Sequence, residues 1–230
     1  MALHVDRPLG LSEILAETIR LYGERAWSAL ALGALYTSVL VIGEIIHPVA
    51  YFALASVAFG LTFAAAARLA AGDSFGEAWS QVALRIPVLL VLSVAVALPF
   101  LIASTNLLLL LVGVAWLAGA GFAVPVAVLE RDPEADSRFR RVGYALERAV
   151  ALARVEYLHA LGVAAALVLV NVLFGVILAG LLAGFADNSA VAARLLAQLV
   201  LTPFFFLGLS VLYFEQRTRA KPGTAQPSEG

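Results

Sequence analysis

Of the fifteen Lys and Arg residues in this chain, all except Arg194 fall on one side of a layout in which six apolar segments thread a membrane. No other feature constrains the fold as strongly, because Lys- and Arg-rich segments are held on the cytoplasmic side during insertion and so orient the helices between them. A hydrophobic fraction of 62% exceeds the roughly 45–50% of ordinary soluble chains, which makes the bilayer the solvent here. The net charge of -1 says little beside that partition. With no cysteine there is no disulfide frame, no thiol chemistry and no Cys-bound metal site.

A helix that crosses the hydrocarbon core needs about 20 apolar residues. Trp27–Ile46, Val49–Ala71, Ile86–Ala103, Leu107–Leu129, Tyr157–Ala183 and Ala190–Phe214 qualify. The predicted fold is therefore all-α, a polytopic membrane bundle of six transmembrane helices arranged as three hairpins. The short connections, His47-Pro48, Ser104-Thr105-Asn106 and Gly184–Ser189, share one face. The other face holds Arg7, Arg20, Arg25, Arg68, Arg85, the arginines from Arg131 to Arg154, and Arg217, Arg219 and Lys221. This reading makes residues 1–220 one membrane domain of the cytoplasmic (plasma) membrane, multi-pass, with both termini cytoplasmic. Residues 221–230, with Pro222, Gly223 and Pro227, read as a disordered cytoplasmic tail. About 25 mixed residues precede the first apolar run, which reads as an uncleaved signal-anchor rather than a signal peptide.

Each hairpin is preceded by a short amphipathic segment suited to the headgroup region. In the first, Leu11, Ile14, Leu15, Thr18, Ile19 and Tyr22 follow helical spacing. The second opens with Ser74 and Glu77 in capping-box spacing and continues through Phe75, Ala78, Trp79 and Val82. The third, from about Ser137 to Arg154, places Phe139, Val142, Leu146, Ala149, Val150 and Ala153 on one stripe. The order of interfacial helix, span, turn, span recurs over 10–72, 73–130 and 137–215, a threefold repeat that would turn about an axis along the membrane normal. Arg138, Arg140 and Arg141, preceded by Glu130, Asp132, Glu134 and Asp136, read as a self-paired loop. A docking platform for a cytoplasmic protein is the alternative.

Three segments carry a family likeness. Arg7-Pro-Leu-Gly-Leu-Ser-Glu-Ile-Leu-Ala-Glu-Thr-Ile-Arg-Leu-Tyr22, Pro125-Val-Ala-Val-Leu-Glu130 before an Arg-rich helix, and Leu212-Tyr-Phe-Glu-Gln-Arg-Thr-Arg219 resemble the membrane domain of glycerophosphoryl diester phosphodiesterases, a family of bacterial and archaeal integral membrane proteins. The resemblance implies a non-catalytic membrane part, elsewhere fused to a soluble phosphodiesterase. This chain ends soon after Arg219, so phosphodiesterase activity is not expected of it.

Polar side chains within spans are the default places for function, because each raises the free energy in hydrocarbon unless paired or wetted. The candidates are Glu44, His47, Asn171, Arg194, Gln198 and Thr202. Glu44, His47 and Arg194 lie near the outer face with Asp187. A Glu44–Arg194 ion pair is expected there, the alternative being a proton or ion access site, since histidine is the side chain that changes charge in the physiological range. Asn171 sits about 18 Å inward along the fifth span; on the sixth, Thr202 comes to a similar depth and Gln198 lies slightly nearer the outside. A hydrogen bond from Asn171 to one of them is expected, a substrate path being the alternative. Arg68 and Glu215 read as interface anchors, Tyr213, Trp27, Tyr157 and Trp79 as belt residues, and His159 as a partner of Glu156. Pro99, Pro125 and Pro203 are expected to kink their helices. Gly180 with Gly184, and Ala115 with Gly119 and Ala123, are expected to serve close packing.

No HExxH, GxSxG or phosphate-binding glycine loop occurs, so no catalytic, cofactor or metal residue is expected, and no nucleic-acid partner. The leading expectation is a non-catalytic membrane protein that is structural, organises lipid or binds a cytoplasmic or membrane protein. The second is a small transporter or permease component with a path near Glu44, His47, Asn171 and Arg194.

Overall fold

The computed structural model describes residues 3, 5–43, 46–130, 137–183 and 190–221. Every regular element among them is a helix: α1 Leu11–Glu24, α2 Ala26–Gly43, α3 Pro48–Ala70, α4 Phe75–Ala83, α5 Ile86–Ala103, α6 Leu107–Ala120, α7 Ala123–Leu129, α8 Arg138–Val155, α9 Tyr157–Ala183 and α10 Ala190–Arg219. Five stretches are long and apolar enough to cross a membrane: Pro48–Ala70, Ile86–Ala103, Leu108–Leu129, Tyr157–Leu181 and Leu195–Arg219. A shorter apolar run, Ala26–Val39, lies in α2. The residues 222–230, read as a tail, lie outside the described residues.

The three amphipathic segments fold as α1, α4 and α8, each started by local chemistry. Ser74 Oγ accepts from the Glu77 N–H at 3.3 Å while the Glu77 carboxylate accepts from the Ser74 N–H at 2.8 Å, the reciprocal cap expected from the spacing. The Glu13 carboxylate accepts from the Gly10 N–H at 2.8 Å, and Ser137 Oγ from the Arg140 N–H at 3.3 Å. The buried faces overlap the predicted stripes in part, sharing Ile14, Thr18, Ala149 and Ala153 with them. Helix α1 buries Ile14, Thr18 and Leu21 and leaves Leu11 and Ile19 exposed. Helix α8 buries Ala145, Ala149, Leu152 and Ala153, with Phe139 and Val150 exposed. Small alanines let α8 lie close on α6 and α7, so steric fit to the neighbours rather than hydrophobicity alone picks the inward face.

The apolar helices form a ring. Helix α2 packs on α3, α3 on α5, α5 on α6, α6 on α9, α9 on α10 and α10 back on α2, while α3 and α10 touch across the middle. At that crossing Phe59 and Phe206 meet edge to face at 4.8 Å, with Phe63, Phe100, Phe205 and Tyr36 around them. Two glycines permit the tightest approaches. A Cβ on Gly33 would fall 2.2 Å from the Leu199 carbonyl oxygen, and one on Gly60 would fall 1.8 Å from Ser93 Oγ. The first has a chemical cause: Pro203 has no N–H to give the Leu199 carbonyl, and α2 closes over that site.

Pro125 has the effect predicted for it. It cannot donate to the Gly121 carbonyl, Val124 N–H turns to that oxygen at 3.3 Å, and the run splits into α6 and α7. Pro99 and Pro203 lie within continuous helices. The small-residue motif at Gly180 makes no close contact, and Gly184 lies outside the described residues. On the other stripe Tyr157 lies near Gly119 and its hydroxyl donates to the Ala115 carbonyl at 3.0 Å, an aromatic ring occupying the groove that small residues leave.

Helices α1, α4 and α8 all sit at one end of the ring, the basic end. The opposite end carries the turns at 46–47 and 104–106.

Candidate functional site

Between the ring helices, in the half away from α1, α4 and α8, lies a cavity of about 410 Å³. All six apolar helices contribute, from Tyr36 on α2 and Phe59 on α3 to Phe100 on α5, Leu110 on α6, Asn171 on α9 and Gln198 on α10. Thr202 completes its polar lining on the α10 side. Counting residues along two helices placed Thr202 at the depth of Asn171 and Gln198 slightly nearer the outside, and the fold brings all three to one space. The predicted interhelical bond is not what holds them. Thr202 Oγ1 donates to Gln198 Oε1 at 3.3 Å within α10 itself, and among the described residues Asn171 makes no side-chain hydrogen bond to either. Aromatic side chains, Phe205 and Phe206 included, floor the cavity toward the basic end.

Of the remaining candidates, His47 lies elsewhere. His47 is exposed at the start of α3, where its Nδ1 accepts from the Val49 N–H at 3.3 Å and caps the helix. Glu44 and Asp187 lie outside the described residues, as does the Arg194 side chain, so the Glu44–Arg194 pair lies outside them too. Arg194 itself belongs to α10.

A second polar centre, at the basic end, is one that sequence reasoning missed. Glu130, at the end of α7, is only 10% exposed and gathers three donors: the Tyr213 hydroxyl at 2.8 Å, Arg148 Nε at 3.1 Å and the Tyr144 hydroxyl at 3.3 Å. Arg217 Nε stands 3.9 Å away. Tyr213 is therefore a core residue and not a belt residue. Glu215 is likewise no anchor, since it is fully buried with Arg219 bonded to one carboxylate oxygen and Gln216 Nε2 donating to the other at 3.1 Å. The reason is α1, which packs on α10 and covers the span end where an exposed carboxylate would have reached water. His159 faces Glu215 at 3.7 Å instead of Glu156, which pairs with Arg219. Arg68 pairs with Asp73 at 2.6 Å. Among the described residues no group of three or more His, Cys, Asp or Glu side chains could hold a metal.

The three segments that carried the family likeness converge at this end. Arg219 donates to the Leu9 carbonyl at 3.2 Å and Tyr213 to Glu130, and Thr218 Oγ1 donates at 2.9 Å to the Val5 carbonyl just ahead of the first segment. The available signal was in two of those segments, where Glu130 followed by Arg131, and Tyr213 followed by Arg217 and Arg219, each close an apolar run. Comparison with family models, with curated proteins and with solved structures finds no match for this chain.

Proposed function

We propose that this chain is a six-span integral membrane protein of the cytoplasmic membrane, its helices paired as three hairpins and both termini cytoplasmic, which performs no catalysis and holds a lipid-like apolar molecule within the ring. The observation that carries this reading is the cavity of about 410 Å³ to which every apolar helix contributes. Sites of roughly 300–1,000 Å³ with apolar walls and a few convergent polar groups are the usual form of a small-molecule pocket. The polar lining is neutral among the described residues, namely Asn171, Gln198, Thr202, Tyr36 and Ser104. An occupant with an apolar body and an uncharged hydroxyl or carbonyl matches that lining better than an ion does. Helix α2, with 18 residues, would reach about 27 Å and supplies the sixth crossing. The positive-inside partition supports the orientation. The likeness to the glycerophosphoryl diester phosphodiesterase membrane domain belongs to the same reading, as a non-catalytic membrane part.

The test is photo-crosslinking of the reconstituted protein to a diacylglycerol with a photoreactive chain. Gly175→Phe, which grows a ring into the cavity, and the double substitution Asn171→Leu with Gln198→Leu are expected to reduce labelling of α9 and α10 peptides several-fold. Unchanged labelling in both overturns the reading. The transporter reading makes the opposite claim on the same residues, that proton or solute flux in proteoliposomes depends on Asn171. Its path would have to cross the aromatic floor.

A further inference from the structure

The cavity within the ring has a mouth in its side wall. Phe100 on α5 and Phe205 on α10 stack at 6.3 Å, yet the two helices end at different heights. Helix α5 stops at Ala103, within a turn of Phe100, whereas α10 from Phe205 back to Ala190 is about 22 Å long. On α9 the stretch from Asn171 out to Ala183 is about 18 Å. The α9–α10 pair therefore runs on past the α5–α6 turn, whose Ser104 is exposed and lines the same cavity. Exposure along one stripe of α9 marks the mouth: Val168 is 6% exposed, Val172 52% and Val176 69%, and all three line the cavity. Farther in the lining turns polar, with Thr202 buried and Asn171 and Gln198 half-buried. The mouth is thus apolar and the interior is where hydrogen-bonding groups stand.

Building on the ring-cavity reading above, we propose that a neutral diacyl lipid enters this cavity head-first through that mouth, from the leaflet remote from the basic end, and leaves its acyl chains in the bilayer across Val172 and Val176. A hydroxyl or ester carbonyl drawn into an apolar interior raises the free energy unless it is hydrogen-bonded, and the amides of Asn171 and Gln198 each offer donors and an acceptor. An acyl chain gains little by entering, because the hydrocarbon outside is as apolar as the valines at the mouth. Two chains, each reaching across about half of a roughly 30 Å hydrocarbon core, exceed a cavity of about 410 Å³, whereas a glycerol head fits.

The experiment uses the full chain in phosphatidylcholine vesicles with two diacylglycerols, one carrying a diazirine beside the glycerol and one at the end of an acyl chain. Labelled positions are read by mass spectrometry. The first probe is expected to label at Asn171 and Gln198, and the second at the exposed residues Leu173 and Ile177, outside the cavity. The reverse pattern, with the chain end at Gln198, overturns head-first entry. Val172→Trp with Val176→Trp adds bulk at exposed positions, so it is expected to keep the parent melting temperature while lowering labelling at Gln198 about tenfold. Val176→Trp alone should lower it about threefold, and serves if the double variant is unstable. Leu173→Trp with Ile177→Trp, exposed on the same helix but off the cavity, should change little. Equal loss from that control pair overturns the mouth. So does unchanged labelling in the mouth variants where Gly175→Phe abolishes it, an outcome that leaves the ring-cavity reading standing. Absence of labelling at Asn171 and Gln198 by either probe in the parent protein removes both.

Discussion

The two ends of this molecule treat buried polarity in opposite ways. At the basic end, Glu130 and Glu215 are met by tyrosine, arginine and glutamine donors from other helices and from their own. In the other half, Asn171, Gln198 and Thr202 border open space, and the hydrogen bond among them stays within one helix. The lesson is that polarity inside a span is structural where a second helix supplies the partner and available for a ligand where it does not. The basic end also explains why its charges are affordable, since a buried carboxylate is tolerated only when paired and hydrogen-bonded.

This contrast can be broken most directly at Arg219. Arg219→Ala strands the fully buried Glu215 and frees Glu156, and removing one partner of a buried pair destabilises by about 3–5 kcal/mol. The expected outcome is a large drop in melting temperature in detergent, against a change of about 1 kcal/mol or less for Asn171→Leu. Equal losses at the two positions would erase the distinction between the ends.

Next in size are the close helix crossings. Gly60→Ala puts a methyl group into the Ser93 side chain and backbone, and Gly33→Ala meets the Leu199 carbonyl and the Pro203 ring. Each is expected to destabilise by about 1–3 kcal/mol, as overpacking does, while Gly180→Ala at an exposed position changes little by the same assay. Tyr213→Phe keeps the ring and deletes one donor to Glu130, with an expected loss of about 1–2 kcal/mol in chemical denaturation. A loss as small as that of Thr202→Val would weaken the claim that the basic end is the tied one.

The smallest effect concerns pH at the interfacial helices. The Glu13 carboxyl is held below the usual carboxylate range by the Gly10 N–H and then Arg7, and Glu77 by hydrogen bonding from Ser74. A folded value below the unfolded one means stability that is complete above the ordinary carboxylate range and is lost as pH falls through the lowered value. Hydrogen exchange at the first turns of α1 and α4 should therefore speed up on acidification, and Glu13→Gln and Glu77→Gln should flatten that response. A response that persists in both variants would assign it elsewhere.

Much of the fold was legible because apolar length and helical period are local properties. The apolar helices, five of them long enough to cross a membrane, the three amphipathic helices, the cap at Ser74 and Glu77 and the break at Pro125 each follow from residues within a few turns of one another. Asn171 and Thr202 could be placed at one depth by counting, since helical rise converts sequence into height. The parts that were misread all involve a rotation or a distant partner. Tyr213 and Glu130 are 83 positions apart, and the sequence near either one describes an ordinary membrane edge. Phe139 fell on the apolar stripe of its segment by spacing and is exposed, because α8 turns Ala145, Ala149, Leu152 and Ala153 to its neighbours instead.

Sequence by itself determined which segments leave water and where along each helix a polar group stands, since both depend on solvation and rise per residue. Tertiary structure alone decided which of those groups find partners. Which face of a helix turns inward is set by the shapes of the helices that meet it, and so are the glycine crossings at Gly33 and Gly60, the enclosure of Glu215 by α1 and the space left around Asn171.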